Sequence, residues 1–244
     1  MTDPALPDGV IVIRIDQPGV RNAINTATAA RLHDAFVAFD EDPRARVAVL
    51  TGDDAAFCAG ANLRDLPRLR DSGPLGPTRL QLSKPVIAAI EGWCVAGGVE
   101  LAAWCDLRVA GRSARIGCLE RRWGVPLIDG GTYRLPQIVG LGRALDLILT
   151  GREIGTEEAE GMGFLTRVVA DGEALAASVT LAAEIAAFPW RGLVNDRKSV
   201  YAGLGLGIEE ALRVEEDLGK DTIFADGFAE GVDRFNDHQA HRPR

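Results

Sequence analysis

Two short segments hold residue types suited to chemistry: Phe57-Cys58-Ala59-Gly60-Ala61-Asn62-Leu63 and Ala96-Gly97-Gly98-Val99-Glu100-Leu101. Each places small residues where a backbone N–H can approach a ligand with no side chain in the way. Each lies between an apolar, strand-like run and a helical pattern. Two such N–H groups aimed at one point form an oxyanion hole, which stabilises negative charge on a carbonyl oxygen, and each donor is worth about 3–4 kcal/mol. Gly97 opens a helix, so the helix dipole adds to its pull on an anion. A side chain at position 97 is expected to crowd a ligand bound there. Glu100 stands one turn further on, and its carboxylate can face the same point. Taken alone, an acid in a first helical turn also serves simply to complement the dipole. The local pattern leaves both roles open.

The elements that must position these segments read as alternating strands and helices. Val10–Ile15 is predicted as a strand ended by Pro18-Gly19, and Thr26–Asp42 as a helix with Leu32, Ala35, Phe36 and Phe39 on one face. Val47–Gly52 and Pro85–Ile90 read as strands buried on both faces. Leu107–Ala110 and Ala114–Gly117 follow the Gly97 helix as strands. This order predicts right-handed crossovers and a largely parallel sheet. Arg64–Ser83 is polar and broken by Gly73-Pro74 and Gly76-Pro77, which predicts poor order near residues 71–78. From Gly130 the pattern turns helical, near 130–138, 142–149, 156–162, 173–187, 190–202, 207–218 and 226–237, with one strand at Arg167–Val169. Residues 1–189 are expected to form the core and 190–244 a helical region. A helical tail behind an already covered sheet points to packing against another subunit. No internal repeat is visible.

Composition narrows the class. The chain has 244 residues, 47% hydrophobic and 25% charged, as expected of a soluble globular protein with a sizeable core. Its net charge of −8, from 27 Lys+Arg against 35 Asp+Glu, argues against a nucleic-acid partner. Cys58, Cys94, Cys105 and Cys118 form no C-x-x-C pair and read as buried, reduced thiols of a cytoplasmic protein rather than metal ligands. Met1-Thr2-Asp3-Pro4 lacks the basic start of a signal peptide. Glu91 and Glu100 interrupt the best apolar run, so no membrane span is expected. His33, His238 and His241 have no nucleophile or acid at a meaningful spacing, which argues against a histidine-based hydrolase. No Gly-x-Gly-x-x-Gly follows the first strand.

In order along the chain, Pro18-Gly19-Val20-Arg21-Asn22-Ala23-Ile24-Asn25, the Phe57–Leu63 segment, Lys84–Gly92, Ala96–Ala102 with Cys105-Asp106, Trp123-Gly124-Val125-Pro126 and Gly130-Gly131-Thr132 resemble the crotonase, or enoyl-CoA hydratase/isomerase, superfamily. Phe224-Ala225-Asp226, Glu230-Gly231 and Phe235 continue the match, which covers nearly the whole chain. Each motif alone is weak; the ordered set is specific. The resemblance implies an α/β fold, a spiral of ββα units with a C-terminal helical trimerisation region, and a homotrimer or dimer of trimers. It implies an acyl-CoA thioester ligand, no cofactor other than the coenzyme A of the substrate, and no metal. The oxyanion hole would be the N–H groups of Ala61 and Gly97. CoA would lie along Arg21, Ala23 and the loop Ala59, Gly60, Ala61, Asn62 and Leu63, and Gly98, Trp123, Pro126 and Asp129 join the candidate substrate contacts.

The resemblance also assigns catalysis to Glu100 and to Glu120, which read alone is a surface acid in a charged loop. Adding water across a double bond requires one group to deprotonate the water and another to deliver a proton to the α-carbon. Two carboxyls divide that work when their environments separate their pKa values. Glu100 is expected to activate the water and Glu120 to supply the α-proton. The implied function is hydration of a 2-enoyl-CoA. The alternatives are double-bond isomerisation and acyl-CoA binding without turnover.

The sequence departs from the hydratase pattern in three places. Asn62 replaces the usual Asp. Leu127-Ile128-Asp129 replaces a Gly-Ala-Gly stretch, reshaping the acyl pocket. Arg242 is a weak candidate for the phosphate contact that a lysine often makes. Asp129 reads either as a third site carboxylate or as a cap for the helix at Gly130. Arg121 and Arg122 read either as local ion pairs or as the border of a pocket for an acyl group with its own carboxylate.

Overall fold

The computed structural model describes residues 6–225 and 227–240. Asp226, His241 and Arg242 lie outside the described residues. Among the described residues, eight strands form two parallel sheets. Five strands, β1 (Val10–Arg14), β2 (Val47–Thr51), β4 (Val86–Ile90), β6 (Leu107–Gly111) and β8 (Arg167–Val169), pair in the order β1-β2-β4-β6-β8. The other three, β3 (Ala56–Cys58), β5 (Trp93–Val95) and β7 (Arg115–Gly117), form a second sheet in the order β3-β5-β7. All pairs are parallel. β2 and β4 are buried throughout, as continuous apolar runs between neighbours on both sides should be.

The sequence reading finds the parallel order but misses β3, β5 and the second sheet. Three residues are too few to show periodicity. The repeat came only from the resemblance, which implies ββα units: three times, a strand of the large sheet is followed by a strand of the small one. The corners carry glycine. A Cβ at Gly52 would meet Ala56 O at 2.1 Å, and one at Gly92 would meet Ala55 O at 2.0 Å, so the chain returns on itself too closely for any side chain.

Helix α1 (Thr26–Glu41) is capped by the Asn25 side chain, which accepts from Thr28 N at 3.0 Å. Leu32, Phe36 and Phe39 are buried on its inner face, and Phe36 meets Trp104 of α2 (Gly97–Trp104) edge to face, with ring centroids 4.8 Å apart. Lys84 closes the other end of α1, its Nζ donating to Phe39 O and Asp42 O. The helices of the second half, α3 (Gly131–Val139), α4 (Leu141–Thr150), α5 (Thr156–Gly161), α6 (Ala174–Ala186), α7 (Trp190–Gly203), α8 (Ile208–Ile223) and α9 (Gly227–Ala240), fall near the expected places. The four cysteines are buried and unpaired.

One expectation is overturned. Residues 73–78 are buried rather than poorly ordered: Leu75 is 1% and Thr78 0% exposed. Gly73 and Gly76 take φ of 97° and 107°, a conformation open to glycine, and the turn they make docks against Ala29 and Asp129. Glycine and proline there encode a tight packed turn, not freedom.

The chain divides into two compact units, one up to Ala183 and one from Glu184, a few residues ahead of the expected division. In the second, α7 and α8 form a hairpin. The Asn195 amide donates to Leu218 O, Asp221 Oδ2 and Thr222 Oγ1, and Arg191 holds both carboxylate oxygens of Asp221. Helix α8 buries none of its residues; Ile208 and Leu212 are exposed.

Candidate active site

The parallel pairing of β3, β5 and β7 puts the C-terminal ends of all three strands on one side, the edge where open α/β sheets place their ligands. From β3 leaves the loop Ala59–Leu63. From β5 leaves Ala96 and helix α2, carrying Gly97 and Glu100. From β7 leaves a short 3-10 helix, Leu119–Trp123, carrying Glu120. Residues far apart in sequence thus meet at one edge.

The loop after β3 runs beside the turn at residues 21–24. Ala59 N donates to Arg21 O (3.1 Å), Ile24 N to Gly60 O (2.7 Å) and Asn62 N to Ile24 O (2.8 Å), with Ile24 and Ala61 forming a parallel bridge. In such a bridge the partner's flanking residues make the bonds. The N–H of Ala61 itself therefore faces away from Ile24. The candidate contacts Arg21, Ala23, Ala59, Gly60 and Ala61 are brought together on this ribbon. Asn62 Oδ1 accepts from Arg64 N (3.0 Å), a local turn role. Leu63 is exposed.

Gly60 and Gly97 touch. A Cβ on Gly60 (φ 85°) would lie 2.6 Å from Gly97 N, and one on Gly97 would lie 3.1 Å from Gly60 Cα and 2.6 Å from Leu75 Cδ1. A side chain at 97 therefore strikes Leu75 and Gly60 first. Gly98 packs on Cys58, where a Cβ would lie 2.1 Å from the carbonyl oxygen. Ala96, just before the Gly97 amide, holds φ 53°, ψ −127°, a strained geometry for a residue with a Cβ, and its N–H is fixed by Gly117 O at the end of β7.

Glu100 is 3% exposed. Its Oε1 accepts from Asp129 N (2.9 Å) and Gly131 N (2.8 Å). Burial pushes its pKa up to about 7 against the lowering effect of the Gly131 and Asp129 amides, and the neighbouring Asp129 and Glu120 carboxyls raise it further. Gly131 admits this contact because a Cβ there would lie 2.9 Å from Glu100 Cγ. Glu120 is 4% exposed, and both its carboxyl oxygens are buried without a hydrogen-bond partner among the described residues. Burial raises its pKa. The two acids thus sit in different settings, one ligated by amides, the other by nothing.

An unpartnered buried carboxyl weakens the fold. Because its folded-state pKa is raised, Glu120 lowers stability as pH climbs above the ordinary value of 4.5. Glu120→Met is expected to raise the unfolding free energy near neutral pH by about 1–3 kcal/mol, with the gain vanishing near pH 4; urea unfolding at the two pH values measures it.

Asp129 is no helix cap: the cap position of α3 is Gly130, with no side-chain bond. Its Oδ1 accepts from Leu75 N (3.0 Å) and from the Thr78 hydroxyl. Arg122 donates to Gly151 O (3.1 Å) and pairs with Glu153, so the local ion-pair reading describes it. Trp123 is 73% exposed and Pro126 is exposed; neither shares the burial of the two acids. Missed by the sequence reading is Asn22, wholly buried at φ 56°. Its amide binds Asp53 Oδ2 and Ala56 O, and its Oδ1 accepts from Gln17 N, anchoring the turn that carries Arg21 and Ala23. The signal was present: Asn tolerates the left-handed region and stands in a turn.

The family model described as enoyl-CoA hydratase/isomerase matches residues 6–242. A Mycobacterium tuberculosis protein named enoyl-CoA hydratase is 32% identical over 243 residues, covering 94% of this chain and 91% of its own. A Syntrophomonas wolfei protein named crotonyl-CoA hydratase is 33% identical over 216 residues, 84% of this chain and 83% of its own. A crystal structure of an enoyl-CoA hydratase from Mycobacterium tuberculosis matches with a TM-score of 0.91 at 32% identity, covering 98% of this chain and 96% of that one.

Proposed function

This chain belongs to the enoyl-CoA hydratase/isomerase family, and from that premise we propose how it adds water across the double bond of a 2-enoyl-CoA. The N–H groups of Ala61 and Gly97 hold the thioester oxygen and the negative charge that develops on it. The Glu100 carboxylate binds the water and takes its proton as the oxygen joins the β-carbon. Glu120, carrying its proton, delivers it to the α-carbon. Water is thereby split between the two carbons, and the acids regain their starting states by returning one proton. The CoA portion lies along Arg21, Ala23 and Ala59–Leu63, and the chemistry draws on no other cofactor. The single observation that carries this reading is the pair of buried carboxyls, one amide-bound and one unpartnered.

The exposed apolar side chains Ile208, Leu212, Phe224 and Phe228 support the further proposal that the C-terminal helices assemble the chain into trimers. No helix among the described residues is long and apolar enough to cross a membrane.

Hydration removes the ultraviolet absorbance of a 2-enoyl thioester, whereas isomerisation of a 3-enoyl-CoA creates it; loss with the first and no gain with the second is the expected result. Gain with the 3-enoyl substrate alone would replace hydration by isomerisation. The kcat/KM profile should fall on its acid side: Glu100 must be ionised, so activity drops below about pH 7. Burial raises the pKa of Glu120 as well and so favours the protonated form that the donor role needs. A profile without an acid limb counts against Glu100 as the base.

A further inference from the structure

Asp129 is 3% exposed and joins two parts of the site. Its main-chain N–H donates to Glu100 Oε1 (2.9 Å). Its Oδ1 accepts from Leu75 N (3.0 Å) and the Thr78 hydroxyl. Leu75 in turn abuts Gly97. Two further ties span the same gap: Arg134 donates to Asp129 O (3.0 Å) and Thr78 O (2.7 Å), and Arg79 donates to Ile128 O (2.9 Å). A polar, glycine- and proline-rich loop is thus sewn onto the start of α3, with the Leu75 side chain resting against the oxyanion-hole glycine.

We propose that Asp129 is a positioning residue: its N–H orients the Glu100 carboxyl, and its side chain latches the Gly73–Thr78 segment against Gly97, so one residue sets both base and oxyanion hole. This rests on the reading of Glu100 as the base. The charged or titratable groups around the pair are Glu120 and Cys118 beside Glu100, and Arg79, Arg134 and Cys58 beside Asp129.

The full-length protein with Asp129→Ala, Asp129→Asn and Thr78→Val tests this. Asparagine keeps an oxygen for Leu75 N and Thr78, and keeps the peptide N–H, while removing a negative neighbour of Glu100. Asp129→Ala should lower kcat about a hundredfold, the scale of a misplaced reacting group, with a smaller change in KM. Thr78→Val should fall between that variant and the parent. Asp129→Asn should retain more of kcat than Asp129→Ala and shift the acid limb of kcat/KM to lower pH.

Two readouts need no turnover. Amide hydrogen exchange at 73–78 should quicken in Asp129→Ala but not in Asp129→Asn, and the carboxyl NMR titration of Glu100 should move down in Asp129→Asn. Unchanged exchange and an unchanged Glu100 titration overturn the proposal. So does an Asp129→Asn variant as inactive as Glu100→Gln, which would place Asp129 among the reacting groups. A parent enzyme without hydratase activity overturns the functional reading instead, leaving the exchange result to judge the latch.

Discussion

Glu100→Gln is expected to lower kcat for hydration by about 10²–10⁴-fold, the usual worth of a positioned general base, with the fold intact. Glutamine keeps an oxygen for the amides of Asp129 and Gly131, which now fix Glu100 Oε1, so the backbone around the base has no reason to move. What it loses is the ability to take a proton. Glu120→Gln should cost a comparable factor by a different route, because an amide at position 120 has no acidic proton to hand to the α-carbon. It should leave in place the acid limb near pH 7, which belongs to Glu100. The two losses should not multiply: acids serving one transition state act as a unit, and the double variant is expected to be little worse than the poorer single one. Full hydratase turnover in Glu120→Gln would defeat its assignment as proton donor. Full turnover in Glu100→Gln would remove the base.

Gly60→Ala should cripple hydration by displacing the Gly97 amide. Position 60 holds φ 85°, and the added carbon would sit 2.6 Å from the nitrogen of Gly97. The neighbour is backbone and cannot swing aside. Strain in the left-handed region adds about 1–3 kcal/mol, and relief must come from moving the amide that would bind the thioester oxygen. Loss of one such donor costs about 10²–10³ in kcat. Gly97→Ala offers a graded comparison. Its closest clash is with Leu75 Cδ1, the end of a flexible side chain, while Gly60 Cα lies at 3.1 Å, so Gly97→Ala should be the milder of the two. Steady-state kinetics with urea unfolding separates the effects. If Gly60→Ala keeps the parental kcat at a reduced stability, the Gly97 amide is not part of the oxyanion hole.

Much of this was legible in the sequence, and the reasons differ between elements. The large-sheet strands announced themselves because β2 and β4 lie between parallel neighbours, so their buried positions are apolar but for Thr51. Helix α1 showed in the spacing of Leu32, Phe36 and Phe39. The glycine-rich segments at 57–63 and 96–101 were visible because close backbone approach forbids side chains. The three-residue strands β3 and β5 were not, being too short to carry a period, whereas β7 falls within the expected strand Ala114–Gly117. The loop at 73–78 misled for a related reason: Gly73, Pro74, Gly76 and Pro77 state that the chain turns, and not whether anything packs on the turn.

Residue type and spacing alone determined the parallel α/β order and the two small-residue segments with Glu100 beside them, while the place of Glu120 in the site came from the family resemblance. Tertiary structure alone decided that Gly60 touches Gly97, that Glu120 is left without a donor while Glu100 has two, and that Asp129 holds the 73–78 loop rather than capping a helix. The division has a physical cause. Local preferences act over a few neighbouring residues, whereas the bond from Leu75 N to Asp129 spans 54 positions and exists only once parallel pairing has set three strand ends side by side.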